Sequence, residues 1–524
     1  MRAPAYNSTT AEEEVLFEVA DAKYAALKKR LVGGEVLAMT HSEVENLVES
    51  YGRDVLRELL QGHLDLRALA EPIAEVRGAD GVERGQRRTG TKRSLGTVLG
   101  DVEVARTRYG ARGASGLHPV DADLNLPVEK YSLEVRRRVA LSAARTSFDA
   151  TAETVAASTG AAVPKRQVEQ LTRRAAVDFE EFYEETALDV PPRDTGELLV
   201  LTTDGKGVVM RSEHLREPTR KAAEDSRHKL STRLSKGEKR NRKRMALVAA
   251  VFTVATWLRT PDDVIAGLRS VRGVEPADRP PRPRPEHKRV WASIERPAEQ
   301  VIREAFDEGL TRDPNLAKRW VVVVDGQKSQ LQRIQKEAKR RGIELTIVLD
   351  FIHVLEYLWK AARVFNAEAS PEAEEWVLER LRRILCGQAG LVAAAIRRSA
   401  TKRHLTSEQR APADTAANYI AKHAPYMRYD EYLADGLPIA SGVIEGACRH
   451  LINDRLGITG ARWSLDGAEA VLKIRALLSS GDFAEYWAFH EQQEFERNHA
   501  TKYAQNRPPK VARPRSGSHL RLVK

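Results

Sequence analysis

Hydrophobic positions change their period several times along the chain, and each change marks an element. From residue 11 to about 75 they recur every three or four residues, as at Leu16, Val19, Ala20, Tyr24 and Leu27, the spacing of one helical face. Val76 to Lys92 is rich in Gly and Arg and reads as a linker. SLGTVLGDVEVARTRYG alternates instead, which predicts a hairpin turning at Gly100 and Asp101, with Arg93, Arg106 and Arg108 along it. Helical spacing returns at about Leu133. There a short helix, Phe148 to Ser158, ends at Gly160, and Pro164 stands at the first position of a second helix, where its missing N–H is tolerated. The pair has helix-turn-helix character. Lys165, Arg166, Gln167, Arg173 and Arg174 on the second helix are side chains of the kind that enter a major groove. An ordinary helical hairpin would carry the same pattern.

From Thr195 the pattern becomes that of strands. LLVLTTDG is an apolar run closing on Asp-Gly, GVVMRS reads as its partner strand, and MALVAAVFTVA as a third, buried strand. Between the last two lies a charged segment, Ser212 to Arg244. Counted from Arg211 it holds 13 Lys/Arg against 5 Asp/Glu, net +8. Such a run is either an arm along DNA or a solvated face. Arg279 to Arg289 is a proline-rich linker. Helical sequence from Ile294 to Leu310 leads to a fourth strand, WVVVVDG. The amphipathic helix QLQRIQKEAKRRG then leads to a fifth strand, ELTIVLD, and the chain is helical again from Phe351 to about Tyr432.

Three strands followed by strand, helix and strand give an α/β order. The first three would form a meander and the last two would join by a right-handed crossover. That is the order of a ribonuclease-H-like fold, a mixed five-stranded sheet with helices and a helical insertion. The expected organisation is a helical N-terminal region and linker (1–92), a β-hairpin with a helix-turn-helix-like DNA-binding region (93–190) and the sheet core (195–355). A helical insertion (356–436), C-terminal helices of the catalytic region (437–490) and a basic tail (491–524) complete it.

Composition narrows the class. A chain of 524 residues suggests three or four domains, and 42% hydrophobic residues suffice to bury several cores. A net charge of +11 and a pI of about 9.5 favour a polyanionic partner such as nucleic acid, although a solvated basic surface gives the same balance. The two cysteines, Cys386 and Cys448, form no Cys-x-x-Cys pair, so neither a cysteine zinc site nor a disulfide framework is expected. HEQQEFERNH lacks a histidine four residues after His490 and is no zinc-protease helix. The polar N-terminus does not read as a secretory signal, and the longest apolar run, Met245 to Leu258, is too short to span a bilayer. A soluble, cytoplasmic protein with no membrane partner is expected.

Three carboxylates then carry chemistry. Asp204 and Asp325 each close an apolar strand and precede a glycine, which places them at the carboxyl edge where α/β sheets gather ligands. A plain Asp-Gly turn would look the same. Further on, LPIASGVIEGACRHLINDRLG reads as a helix capped by Ser441, with Ile444, Cys448, Leu451, Ile452 and Arg455 at helical spacing and Glu445 in its first turns. The residues alone do not single out Glu445. Carboxylate oxygens suit hard divalent cations, and two Mg²⁺ ions about 3.5 to 4 Å apart serve phosphodiester cleavage. Lys206, two residues after Asp204, is either a phosphate contact or solvated. Arg462 is a candidate contact to an unpaired base, while Trp463 reads best as core.

With these words assembled, the sequence resembles the prokaryotic insertion-sequence transposases with an Asp-Asp-Glu site, of the ISKra group. The resemblance runs from about Arg93 to Phe489 and rests on TTDGKGVVMR, KRMALVAAVFTV, WVVVVDGQKSQL, IVLDFIHVLEYLWKAA, IASGVIEGACRHLINDR and ITGARWS. It implies a ribonuclease-H-like catalytic domain and two Mg²⁺ or Mn²⁺ ions. It also implies action on the terminal inverted repeats of an element and on target DNA, and a homo-oligomer. The first Asp falls on Asp204 and the Glu on Glu445. The second Asp has two candidates, Asp325 and Asp350. The resemblance favours Asp325, because the second acid ends the fourth strand in related transposases. Asp350 and His353 then support the ligands or position DNA, unless they simply start a helix with Asp350 as its cap. Relatives often carry paired cysteines after the hairpin; YGARGASGLHPVD has none, so zinc is not expected. Two other readings stay open: a DNA-binding protein derived from a transposase that no longer cuts, and a structure-selective nuclease on the same fold.

Overall fold

The computed structural model describes residues 15–189, 195–225, 241–269, 281–458 and 460–510. The chain divides into two compact units, Met1–Asp178 with Ala484–Lys524, and Phe179–Phe483. Much of the basic run Ser212 to Arg244 (226–240), Arg279 and Pro280 of the proline-rich stretch, and the end of the basic tail (511–524) lie outside the described residues.

In the first unit, helix α1 (Glu18–Leu31) packs on the long α2 (His41–Leu69). Thr40 and Glu43 form a reciprocal capping box that fixes where α2 begins. A three-stranded antiparallel sheet follows: β1 (Gln86–Thr97), β2 (Gly100–Ala111) and β3 (Ala114–Leu117). Two expectations need correction. The hairpin pairs Thr97 with Gly100, so Val98 and Leu99 form the turn, and Gly100, at φ 122°, opens the next strand. The second half of the expected linker, from Gln86, is strand. It is exposed and paired only to β2, so no apolar alternation announced it. Next come α3 (Leu133–Ala143), α4 (Phe148–Ser158) and α5 (Lys165–Arg174). Ser132 and Ser147 accept backbone N–H bonds at the starts of the first two, and Pro164 occupies the N-cap position of the third rather than its first turn. Val135, Val139, Val155, Val168 and Leu171 form their shared core. From Ala484 the C-terminal helix Phe483–Asn498 belongs to this unit, where the Tyr486 hydroxyl donates to the Ala175 carbonyl at 2.8 Å.

The second unit is built on a mixed five-stranded sheet in the order β6-β5-β4-β7-β8. Strand β4 (Leu198–Val209) is antiparallel to β5 (Lys243–Val254), and β5 is antiparallel to β6 (Glu286–Ser293). On its other side β4 is parallel to β7 (Arg319–Val324), which is parallel to β8 (Leu345–Leu349). A meander followed by a parallel pair is the order read from the sequence, but its members differ. GVVMRS is not a partner strand; it continues LLVLTTDG, because β5 pairs with β4 along its whole length from Leu198 to Val209. The third strand is instead Glu286–Ser293, which begins inside the stretch read as a linker. Its polar first half, EHKR, hid the signal, while its second half, VWAS, is buried.

Helix α6 (Pro261–Arg269) precedes β6. Helices α7 (Ala298–Arg312) and α8 (Lys328–Arg341) flank β7 in sequence. Leu331, Ile334 and Ala338 form a buried stripe on α8, which packs on α7, and Gly342, at φ 67°, ends it. On the face of the sheet formed by Val200, Val321, Val323 and Val348 lies the largest core. It is covered by α9 (Phe351–Phe365), the helices Pro371–Leu385 and Ala389–Lys402, and α10 (Ser407–His423). Helix α11 (Gly442–Ala447) packs on β4 and β5 and runs into a π-helical segment, Cys448–Asn453. Helix α12 (Leu465–Ser480) packs on β6. Among the described residues no helix is long and apolar enough to cross a membrane.

Candidate active site

Register across the parallel strands sets out the acids. Thr202 pairs with Val323, and Val324 pairs with Leu349. Two residues beyond the first pair stand Asp204 and Asp325; one beyond the second stand Asp325 and Asp350. All three occupy matching positions on neighbouring strand lines, about 4.8 Å apart. They share the parity of Val200, Val323 and Val348, hence the face that carries α9 and α10. Contrary to the sequence reading, Asp204 does not end its strand, since it pairs with Val248 and β4 runs on to Val209. It is β7 that stops, leaving one side of β4 open at Asp204. At Asp325 the turn is real: Gly326 has φ 84°, and a Cβ there would sit 2.8 Å from Leu349 and 3.1 Å from His423.

Each acid is held differently. Asp204 is partly exposed, with Oδ1 accepting from the Gly205 N–H at 2.6 Å. Its Oδ2 lies 3.0 Å from Lys206 Nζ and accepts from the Cys448 thiol at 3.2 Å. Burial works against the Lys206 ammonium, but the hydrogen bond and charge of Asp204 outweigh it and hold it above the usual lysine range. Burial, with the charge of Asp204 added, pushes the Cys448 thiol far up, so it stays a donor. Asp325 accepts from the Gln327 N–H at 2.9 Å, and its backbone carbonyl takes the Tyr419 hydroxyl at 2.8 Å. Tyr419 is itself stacked on Tyr357 at 3.8 Å.

Asp350 is fully buried. Its Oδ1 caps α9 by accepting from the Ile352 N–H at 2.8 Å, and its Oδ2 accepts from the Ser441 N–H at 3.2 Å and from the Ser441 hydroxyl. Burial alone would raise this carboxyl; the neighbouring His353 and the hydrogen bonds from Ser441 and Ile352 hold it below the usual range. Ser441 therefore does not cap α11 with its side chain as expected. Its hydroxyl is committed to Asp350, which ties the start of α11 to the start of α9. His353 Nδ1 lies 3.8 Å from Asp350 Oδ2. Asp350 raises the imidazole above its ordinary value, burial opposes, and the charges of Asp325 and Glu356 add to the rise.

Glu445 comes to this edge on α11. Cys448, which touches Asp204, lies three residues further along the same helical face. Burial raises the Glu445 carboxyl, and the charges of Asp350 and Glu356 add to it against His353 and Lys206. Negative charge thus outweighs positive along the edge. Among the described residues no group of three or more His, Cys, Asp or Glu side chains stands close enough together to form a ready metal cage. The donors nonetheless fit a hard divalent cation in kind, since Asp204, Asp325 and Glu445 all offer oxygen.

Lys206 therefore stands beside Asp204. Arg462 is exposed, next to Trp463, which is buried as the sequence reading expected, bridges to Met210 at the end of β4 and lies under the Arg455 guanidinium. The five helix-turn-helix candidates belong to the other unit. Lys165, Arg166, Arg173 and Arg174 are exposed on α5 and Gln167 is half-buried. Lys165 meets Asp149 at 2.6 Å, Arg173 meets Glu169 at 3.1 Å, and Arg174 reaches Glu129. Sequence reasoning missed Cys448 as a partner of Asp204, and also Gln330, which is buried and donates to the Thr203 carbonyl at 2.7 Å. The first was readable from its three-residue spacing after Glu445; the second carried no local signal.

No family model matches this sequence, and no curated protein matches it. Among solved structures, the Drosophila P element transposase strand transfer complex is similar over 71% of this chain and 82% of that chain, at 11% identity and a TM-score of 0.22. A likeness that slight bears neither on the fold nor on the function.

Proposed function

We propose that the chain is a DNA transposase of the ISKra type. On this reading Asp204, Asp325 and Glu445, on a ribonuclease-H-like sheet, serve metal-dependent cleavage of element ends and strand transfer into target DNA. One observation carries the reading. Asp204 and Asp325 stand at matching positions of adjacent parallel strands, and the Cys448 contact to Asp204 brings the helix of Glu445 to the same edge. The strand order and the sequence words TTDGKG, VVVVDG and SGVIEG support it.

The roles follow from the contacts. Asp204, Asp325 and Glu445 would hold two Mg²⁺ or Mn²⁺ ions, which when bound supply Lewis-acid activation of the attacking oxygen and stabilisation of the leaving one. Cys448 fixes the orientation of the Asp204 carboxylate through its Oδ2. Lys206 carries a permanent positive charge beside Asp204, suited to a backbone phosphate. Asp350 works at one remove: by clamping Ser441 it sets where α11 begins and so where Glu445 stands. Exposed Lys165, Arg166 and Arg173 on α5 suit duplex backbone or base edges in the other unit.

The test uses the full chain with a labelled duplex carrying the element's terminal repeat. Asp204→Asn, Asp325→Asn and Glu445→Gln are each expected to abolish Mg²⁺-dependent cleavage and joining while duplex binding stays at the wild-type level. Full cleavage by these variants would refute the assignment. Cleavage without joining of the 3′-hydroxyl would make the protein a nuclease, and binding without cleavage in the wild type would make it a regulatory DNA-binding protein.

A further inference from the structure

Beside the carboxylate edge, within the second unit, lies a cavity of 920 Å³. Its floor is the sheet face of Val200, Thr202 and Val323, and its walls include the rings of Phe252, Trp257 and Phe351. Thr202 and Val323 each lie two residues before an acid, Asp204 and Asp325, and Ser441 and Gly442 at the start of the Glu445 helix also line it. The cavity therefore lies beside the strands that carry Asp204 and Asp325, although neither acid lines it.

Its charge is one-sided. Among the described residues, Arg259, Arg282 and Arg284 line it against a single carboxylate, Asp263. Arg259 is positioned by the protein itself: Nε donates to the Trp257 carbonyl at 3.2 Å, Nη2 donates to the Leu437 carbonyl, and the guanidinium lies 4.7 Å from the centre of the Trp257 ring. Burial, with the neighbouring Arg282 adding, pulls it down to about 10, so it remains charged at neutral pH without a full counter-ion. Arg282 and Arg284 alternate with Pro281, Pro283 and Pro285, whose fixed φ makes this rim stiff.

An apolar slot with aromatic walls and a cluster of guanidinium groups, next to the strands that carry the candidate acids, matches one kind of ligand: a flat base joined to phosphate. We propose that the cavity receives one unpaired nucleotide of the DNA strand, its base among Phe252, Trp257 and Phe351 and its phosphates on Arg259, Arg282 and Arg284. A base inside a duplex is stacked on both faces and cannot enter, so the site selects a strand that is opened next to the cleavage point. This rests on the transposase reading for the identity of the strand, but not for the binding itself.

The test compares duplexes with a short single-stranded extension, either intact or with an abasic site at one extension position, binding the full chain in EDTA. The intact extension is expected to bind about ten-fold tighter, the size of one base–aromatic stacking contact. A Cβ at Gly267, on α6 and lining the cavity, would meet no atom within 4 Å, so Gly267→Trp adds an indole at the cavity wall without a steric clash at the Cβ. That variant should lose the preference for the base and keep blunt-duplex affinity. Exposed Arg282→Gln with Arg284→Gln, a second variant remote from the core, should weaken binding of both extensions about ten-fold and leave the blunt duplex unaffected. Equal binding of intact and abasic extensions by the wild type overturns the proposal. So does a preference that survives Gly267→Trp, or capture of free deoxynucleoside monophosphate with no preference among the duplexes. Cleavage with Mg²⁺ is measured separately. Cutting without base preference removes the cavity assignment alone, and base preference without cutting removes the transposase reading alone.

Discussion

Charge is handled in opposite ways in the two units. In the first, Arg136 is fully buried and fully employed. Its Nε donates to Glu129 at 3.0 Å, Nη1 meets Glu494 at 2.8 Å, and the same Nη1 reaches His490 Nε2 at 2.9 Å. A guanidinium only donates, so Nε2 accepts and His490 takes the tautomer whose Nδ1–H donates to Asp178 at 2.6 Å. Arg497 closes the network with two bonds to Asp178, at 2.9 and 3.0 Å. At the sheet edge of the second unit, Asp204, Asp325, Asp350, Glu356 and Glu445 are answered by Lys206 and His353. Asp178 is held below its usual range, as is Asp350 at the edge, while burial and the neighbouring acids push Glu445 above it. A network whose charges all have partners builds structure. An edge that keeps surplus negative charge is a candidate for binding something positive.

The sharpest way to break this comparison lies within the edge itself, between its two rival acids. Asp350 has both oxygens committed to backbone and Ser441 donors, so it belongs in kind with the first unit. Asp325 accepts at Oδ1 from one backbone N–H and is partly exposed. Asp325→Asn should therefore lower cleavage by on the order of 10³-fold, the scale of removing a principal charge-stabilising group, with thermal stability unchanged. Asp350→Asn should do the reverse. It should cost about 1 to 3 kcal/mol of stability, as buried donors lose their acceptor, and leave cleavage within about ten-fold when assayed below its midpoint. Rates beside denaturant melts for the two variants decide this, and the opposite pattern would move the second catalytic position to Asp350.

Breaking the other side of the comparison gives the next effect. Arg136→Met keeps length and apolar volume but removes the shared, fully buried cation of Glu129 and Glu494, leaving each with one partly exposed arginine, Arg174 and Arg497. Removing one partner from a buried charge pair typically costs 3 to about 5 kcal/mol. Urea denaturation should register that loss. If the first unit were as permissive as a surface salt bridge, the change would be under about 1 kcal/mol.

The same contrast explains what the sequence made legible. The sheet order was readable because β4, β5, β7 and β8 are buried enough to be nearly continuous apolar runs. The third strand was not, since half of β6 is polar and exposed. Asp-Gly at 204 and at 325 look alike in sequence, yet one lies in mid-strand and the other in a turn. The difference is made by β5, a partner brought in from some forty residues away. Asp350, too, cannot be told from a metal ligand by its neighbours, because the Ser441 that takes up its Oδ2 lies 91 positions along the chain. Glu445 needed the resemblance, since nothing in its own helix distinguishes it from a solvated acid. The Arg136 network was invisible throughout: its members come from Glu129, Asp178, His490, Glu494 and Arg497, and only packing assembles them.

The smallest predicted effect tests the protonation side of that network. Burial would raise the Asp178 carboxyl, but the bonds from His490 and Arg497 outweigh it and leave the group below its usual value. A depressed carboxyl stabilises the folded state above the unfolded value, about 3.9 for aspartate, and that contribution disappears as pH falls through the lower folded value. Glu494 and Arg136 belong to the same network, and Glu58 and Asp80 elsewhere in this unit are also held below their usual range, so the Asp178 share is read as the difference between wild type and variant. Asp178→Asn keeps one acceptor for His490 but has no proton to gain. Thermal melts from pH 6 down to pH 3 should show the wild type losing stability more steeply than the variant, with the two curves converging at the acid end. Parallel curves would mean that this carboxylate gains nothing from its partners, and that the first unit carries a surplus charge of its own.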